Sequence, residues 1–297
     1  MIGSSTPLRE RLASADGVSL HVVEAGPADG PLVVLLHGFP EFWYGWRHQI
    51  GPLAEAGYRV LVPDQRGYNT SDKPKRVVDY RIERLAGDVL ALIDDVGRDR
   101  ATVVGHDWGA AVAWWLGSHH PERLDRLGIL NVPHPFVMRR HLLTNPRQIL
   151  RSWYILFFQI PWLAESLLRR GDGRLAARML RATSRPGTFP DHALERYREA
   201  WARPEALRSM VNWYRAAIRG AARPFGSRRV PVETLVLWGA RDAALGFEMV
   251  APSMELCDRG HLVGFENAGH WVQHEEAESV TDLLKRFLSD GLAGLDR

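Results

Sequence analysis

The sequence predicts an α/β protein: a mostly parallel central sheet with helices on both faces, interrupted by an inserted all-helical segment. Three observations carry this expectation. Short β-branched and leucine-rich runs alternate with amphipathic stretches. Most of those runs are almost continuously apolar, as in strands covered on both faces. The strand rhythm stops between about residues 136 and 228 and resumes at Val232.

In chain order the strand candidates are 18–25 (VSLHVVEA), 31–37 (PLVVLLH), 58–63 (YRVLVP), 101–105 (ATVVG), 127–130 (LGIL), 233–239 (ETLVLWG) and 262–267 (LVGFEN). The first alternates less cleanly and is expected at an antiparallel edge. Between strands, the segment 81–97 places Ile82, Leu85, Val89, Leu92 and Ile93 near helical spacing. The strand-free block is helical in pattern and broken by QIPW, RRGDG, SRPGTFPD and ARPE. Set between two strands of one sheet, it reads as a cap over the carboxyl edge, where open α/β sheets bind ligands. The expected division is a core over 1–135 and 226–297 with a helical cap over 136–225.

The chain has 297 residues, 45% hydrophobic and 25% charged, the balance of a water-soluble globular protein. No apolar run reaches the roughly 18 residues of a membrane span, and MIGSSTPLRERLASADG lacks the apolar centre of a secretory signal. A single cysteine, Cys257, excludes an intramolecular disulfide framework and points to a reducing, cytoplasmic location. The net charge of +3 would suit an anionic partner such as nucleic acid, but the 35 acidic residues are interspersed with the basic ones over most of the chain. Arginines such as Arg139, Arg140, Arg169 and Arg170 outnumber acids between roughly 139 and 229, which reads as a solvated face, so no nucleic-acid partner is expected.

The chemistry gathers around VVGHDWGAAVAWW (103–115). It fits the strand, sharp turn and helix of G-x-S-x-G, with Asp107 where a serine nucleophile usually stands. Asp107 alone reads equally well as a helix N-cap. Its partners decide for a nucleophile: Asp242 follows strand 233–239 in WGARDAAL, and His270 follows the last strand in NAGHWVQHE. Singly they are a turn aspartate and a helix-start histidine. Together they fulfil the order nucleophile, acid, histidine, each after its own strand. Two backbone N–H groups, of Phe39 in LLHGFPEFWYGW and of Trp108, are the expected oxyanion hole. Pro40 is a candidate cis residue, and Pro40, Phe42 and Trp43 are expected to line an apolar substrate pocket.

His270 and His274 have a spacing that can serve a metal, but no E-x-x-H core or third ligand accompanies them, so no metal is expected. GDGRLA (171–176) matches G-x-G-x-x-A without a preceding strand, so no dinucleotide or other cofactor is expected.

HGFPEFWYGW, PDQRGYNTSDKP, VVGHDWGAAVAWW, LNVPHP, NWYRA, WGARDAAL and NAGHWVQHE together resemble the soluble epoxide hydrolases of the α/β-hydrolase superfamily, from about residue 17 to 288. The resemblance implies the α/β-hydrolase fold and opening of an epoxide to a vicinal diol through an alkyl ester on Asp107. Water activated by His270 would hydrolyse that ester, with Asp242 orienting the imidazole. The residue chemistry agrees, since a carboxylate attacking an acyl carbon yields an anhydride, whereas attack on saturated carbon yields an ester. The resemblance also assigns Tyr154 (SWYILFFQIP) and Tyr214 (SMVNWYRAA) as proton donors to the opening ring; the bland reading of each is a half-buried cap tyrosine.

Haloalkane and haloacetate dehalogenases resemble the same core and stand as the alternative. Haloalkane dehalogenases usually carry Asn where this chain has Phe39, and fluoroacetate dehalogenases usually carry Arg where it has Trp108. A non-catalytic, ligand-binding homologue is the other class of alternative. The expected partner is a small apolar epoxide, met by a monomer or homodimer. Asp64, Arg66 and Ser71 are expected to knit a polar loop, His37 and His106 to pack beside the oxyanion turn, and Asn131 and His134 to mark the passage into the cap.

Overall fold

The computed structural model describes residues 6–219 and 228–295. Its strands are β1 (Arg9–Ala15), β2 (Val18–Ala25), β3 (Leu32–Leu36), β4 (Arg59–Pro63), β5 (Ala101–His106), β6 (Leu124–Leu130), β7 (Val230–Gly239) and β8 (Cys257–Phe265). They form one sheet in the order β1-β2-β4-β3-β5-β6-β7-β8. β1 and β2 pair antiparallel, as do β2 and β4, and every later pairing is parallel. The 18–25 strand is therefore not the edge itself. β1 lies outside it, and its exposed Arg9 and Glu10 with half-buried Arg11 explain why no apolar pattern announces it. Charges on an edge strand discourage pairing with a foreign strand.

Helices α1 (Ile50–Glu55), α2 (Ile82–Asp95) and α3 (Trp108–His119) belong to the first part of the core. α2 buries Leu85, Val89, Leu92 and Ile93 on one face, as its spacing predicts. α3 is apolar nearly all round because it is covered on nearly all sides. Between β6 and β7 the described residues hold helices alone: α4 (Pro135–Thr144), α5 (Pro146–Arg151), α6 (Trp153–Phe157), α7 (Leu163–Arg169), α8 (Arg174–Ala182), α9 (Asp191–Trp201) and α10 (Ala206–Arg219). The boundary expected at 225/226 lies outside the described residues. α11 (Val250–Met254), α12 (Val272–Glu275) and α13 (Ala277–Asp290) complete the core.

β3 is flanked by β4 and β5, so the chain reverses its direction of progress across the sheet there. The loops after β3 and β5 consequently meet at the carboxyl edge, at the switch point where open sheets form a crevice. Hydrogen bonds from the helical block fasten it beside that crevice: Trp201 Nε1 to the Pro40 carbonyl at 2.6 Å, Trp213 Nε1 to the Arg66 carbonyl at 3.1 Å, and the Tyr197 hydroxyl to Glu41 at 2.5 Å.

Candidate active site

Asp107 stands between β5 and α3 with φ 50° and ψ −123°, a backbone conformation that L residues seldom adopt. Such strain costs about 1–3 kcal/mol and persists only where the surroundings enforce it. Two glycines allow the turn to be this tight. A Cβ on Gly105 would lie 2.3 Å from the Gly109 carbonyl oxygen, and one on Gly109 would lie 2.2 Å from that of Leu36. The N-cap reading of Asp107 fails, since its side chain caps nothing. Oδ1 instead accepts the Phe39 backbone N–H at 2.7 Å, and Oδ2 faces His270 Nε2 at 3.5 Å.

The three expected residues do converge. His270 Nδ1 donates to Asp242 Oδ2 at 2.7 Å, and both side chains are buried. Asp242 Oδ1 accepts the N–H groups of Ala244 and Leu245 at 2.7 and 2.9 Å. Its Oδ2 also accepts Asn131 Nδ2 at 2.8 Å. The orienting role of Asn131 went unread in the sequence, where it marks only the way into the cap. Its signal was a polar residue at the end of a buried strand, and it sits at φ 53° with Oδ1 on the Gly239 N–H.

The charges of this cluster depend on one another. Burial opposes ionisation of Asp107, but the hydrogen bond and charge of His270, with His106 and the Phe39 N–H, hold its carboxyl below the ordinary value. Burial likewise opposes ionisation of Asp242, and His270, the Leu245 N–H and Asn131 outweigh it. For His270 burial favours the neutral form, but Asp242 and Asp107 on either side raise it to about 10. The resting cluster is thus an imidazolium between two carboxylates.

A cavity of about 350 Å³ opens over Asp107, within the size range of small-molecule sites. Trp108, Trp115, Val132, Met138, Leu142 and Leu245 contribute to its largely apolar wall. Tyr154 from α6 and Tyr214 from α10 line it as well, with ring centroids 5.9 Å apart. Burial, then the Asp107 charge, pushes both phenols above their ordinary value, so both keep their protons. Phe39 presents its ring to Phe158 and Tyr214, each at 5.3 Å, and offers no side-chain donor to the cavity.

Pro40, Phe42 and Trp43 are placed differently from the expectation and do not line the cavity. Beyond the cis Phe39–Pro40 bond the loop lies against the helical block, where Trp201 Nε1 donates to the Pro40 carbonyl. Phe42 packs edge-on against Tyr197 of α9 at 5.4 Å, and Trp43 donates its backbone N–H to Asp64. These aromatics fill the seam between the core and the helical block. The cavity wall comes mostly from positions far apart in the chain, which no local pattern groups.

The neighbouring residues are structural. Asp64 gathers the Trp43 N–H, His21 and Asn69 within 2.7–2.8 Å, and Arg66 makes a two-pronged pair with buried Asp88. His106 Nε2 donates to the His270 carbonyl at 2.8 Å, and His37 Nδ1 donates to the Gly38 carbonyl. His134 caps α4 through the Phe136 N–H. His274 turns from the cavity to Glu41, at 2.7 Å. GDGRLA runs into α8 with helices before it and no strand.

An open, mostly parallel sheet carrying an acid–histidine–acid cluster on three loops of its carboxyl edge defines an α/β hydrolase in class. The comparisons agree: the model of the alpha/beta hydrolase fold family matches residues 31–277, and the chain belongs to that family. It is 44% identical over 281 residues to the AB hydrolase superfamily protein YfhM of Bacillus subtilis, covering 94% of this chain and 98% of that one. It is 37% identical to Epoxide hydrolase A of Mycobacterium tuberculosis, covering 94% and 97%. The crystal structure of Epoxide Hydrolase A from Mycobacterium thermoresistibile superposes with a TM-score of 0.85 at 33% identity, over 96% of this chain and 99% of that one.

Proposed function

We propose that this protein hydrolyses a small apolar epoxide to a vicinal diol. The observation that carries the reading is the Asp107 carboxylate, which faces an apolar cavity holding two protonated tyrosines, with one oxygen on a backbone N–H and the other toward His270. Asp107 Oδ2 attacks a ring carbon, the carbon–oxygen bond breaks, and a tyrosine hydroxyl protonates the departing oxygen. Asp107 becomes a neutral ester. One of the two charges that hold His270 protonated disappears with it, so the imidazole becomes a base only once there is an ester to hydrolyse. The proton that His270 carries at rest passes to the tyrosinate, and the neutral imidazole then takes a proton from water as hydroxide adds to the Asp107 carboxyl carbon. The oxyanion forms on Oδ1, held by the N–H of Phe39 and, in this reading, that of Trp108. Collapse frees the diol, whose departing oxygen takes the proton of the new carboxyl group, so that Asp107 is again a carboxylate and His270 again an imidazolium.

In this reading 136–225 is a cap that contributes Tyr154 and Tyr214, and 1–135 with 226–297 is the hydrolase core. The protein works in the cytoplasm as a monomer or homodimer, without nucleic acid. Among the described residues no helix is long and apolar enough to cross a membrane. The test is a paired assay of styrene oxide and 1-bromobutane with wild type, Asp107→Asn and the double variant Tyr154→Phe/Tyr214→Phe. The reading requires diol without bromide, lost in Asp107→Asn and nearly lost in the double variant. Bromide release that survives loss of both tyrosines would move the reaction to dehalogenation.

A further inference from the structure

Thirteen large apolar side chains stand exposed among the described residues, and eight of them fall between positions 143 and 163. Leu143, Leu150, Trp153, Leu156 and Trp162 are 73, 74, 60, 67 and 81% exposed. Scattered singly they would need no explanation, but eight within 21 consecutive residues over α4 to α7 mark an exposed apolar region without a partner among the described residues. The same region is basic. From 135 to 182 the chain carries nine arginines against two acids, Glu165 and Asp172. Arg215 of α10 occupies Glu165 at 2.6 Å. Among the described residues, only Arg151 and Arg181 of the nine meet a carboxylate. Arg140, Arg147, Arg169, Arg170 and Arg178 are exposed.

This face is continuous with the mouth of the cavity. α6 presents Tyr154 and Ile155 to the cavity and leaves Trp153 and Leu156 exposed on the same short helix. On α4, Leu142 and Arg139 line the cavity beside exposed Leu143, and Ile218 of α10 lines it while 50% exposed.

We propose that the α4–α7 face of the cap docks on the surface of an anionic lipid bilayer. Trp153, Trp162 and the leucines would enter the boundary between headgroups and acyl chains, and the arginines would lie along the lipid phosphates. Arginine and tryptophan suit this border because each joins an apolar body to a polar end. The net charge of the segment decides against a second copy of the chain, since a two-fold contact would set the arginines against themselves. With no helix among the described residues long and apolar enough to span, the attachment is interfacial. An apolar substrate dissolved in the bilayer would then meet the cavity mouth directly. That corollary rests on the epoxide reading; the docking itself does not.

The test is co-sedimentation of the full chain with vesicles, without any epoxide. Vesicles of phosphatidylcholine with about a third phosphatidylglycerol should bind the protein at low salt, and binding should fall about tenfold in phosphatidylcholine alone or at about 0.5 M NaCl. Two variants, Leu150→Ser/Trp162→Ser and Arg169→Glu/Arg170→Glu, should each weaken binding about tenfold or more. Their turnover of styrene oxide without vesicles should stay at the wild-type level, which shows that both fold. No binding to anionic vesicles, or binding indifferent to both variants, overturns the proposal. A concentration-dependent dimer that Leu150→Ser/Trp162→Ser dissolves overturns it in favour of contact between copies. If no epoxide is turned over, the proposed reaction falls and the vesicle result is unaffected.

Discussion

His270 and His274 lie four residues apart, both are buried, and each has a carboxylate oxygen at 2.7 Å, yet they hold protons oppositely. His270 is raised to about 10 and His274 is lowered to about 4. Burial depresses both. His270 has carboxylates on two sides, Asp242 and Asp107, and these outweigh the burial. His274 has Glu41, with Arg47 and His48 acting against the charged form and, among the described residues, no partner on its Nδ1. Glu41 is also shared with Tyr197 and Gln273. The neutral His274 donates one N–H to a carboxylate that knits core to cap, whereas His270 spans two acids, one of which lies open to the cavity. The proton affinity of a buried histidine therefore follows the number and openness of the acids around it, which residue type and spacing alone do not disclose.

The largest effect that could break this contrast is chemical. His270→Gln should still open the ring but hydrolyse the Asp107 ester about 10³-fold more slowly or worse. Intact-protein mass spectrometry should then find a stable adduct of one epoxide mass; rapid turnover with no adduct would remove His270 from the chemistry. Next, Tyr154→Phe/Tyr214→Phe should slow ring opening by about 10²-fold or more, seen as loss of the adduct burst in a His270→Gln background.

The third prediction concerns stability against pH. His270 is raised from 6.5, so its contribution is complete below 6.5 and is lost as pH climbs through about 10. His274 is lowered from 6.5 to about 4, so between those values the unfolded chain binds the extra proton, and stability rises with pH there. Asp107 and Asp242 steepen the acid side further, since both are held below 3.8. Urea unfolding should peak near neutrality, with His270→Gln flattening the alkaline slope and His274→Gln part of the acid slope. The same slopes in both variants would refute the assignment. The smallest effect on turnover should come from His274→Gln, which keeps kcat within about threefold while lowering stability by about 1 kcal/mol through loss of one of the hydrogen bonds that buried Glu41 accepts. A collapse of kcat matching that of His270→Gln would erase the contrast.

Much of this was legible from local pattern. The seven strand candidates all correspond to strands, and Asp107, Asp242 and His270 stand after β5, β7 and β8 as their positions implied. β1 escaped because an edge strand rich in charge carries no apolar period. The pocket expectation for Pro40, Phe42 and Trp43 went astray for another reason. Aromatic clustering signals burial without saying which side of a loop the rings will occupy, and here they went to the seam with α9. Asn131 was visible, but its hold on Asp242 joins positions 111 residues apart.

By itself the sequence determined the alternation of strands and helices, the glycines that let the elbow close, and the order of the three polar residues on their loops. Those are consequences of local chemistry: β-branched runs, helical spacing, and Gly105 and Gly109 where a Cβ has no room. Only the tertiary structure decided which side chains surround the cavity, which histidine keeps its proton, and that Trp153 and Trp162 stay exposed while Trp201 and Trp213 are buried. Each of those depends on distances between segments remote in sequence, and both proton affinity and burial change steeply over a few ångströms.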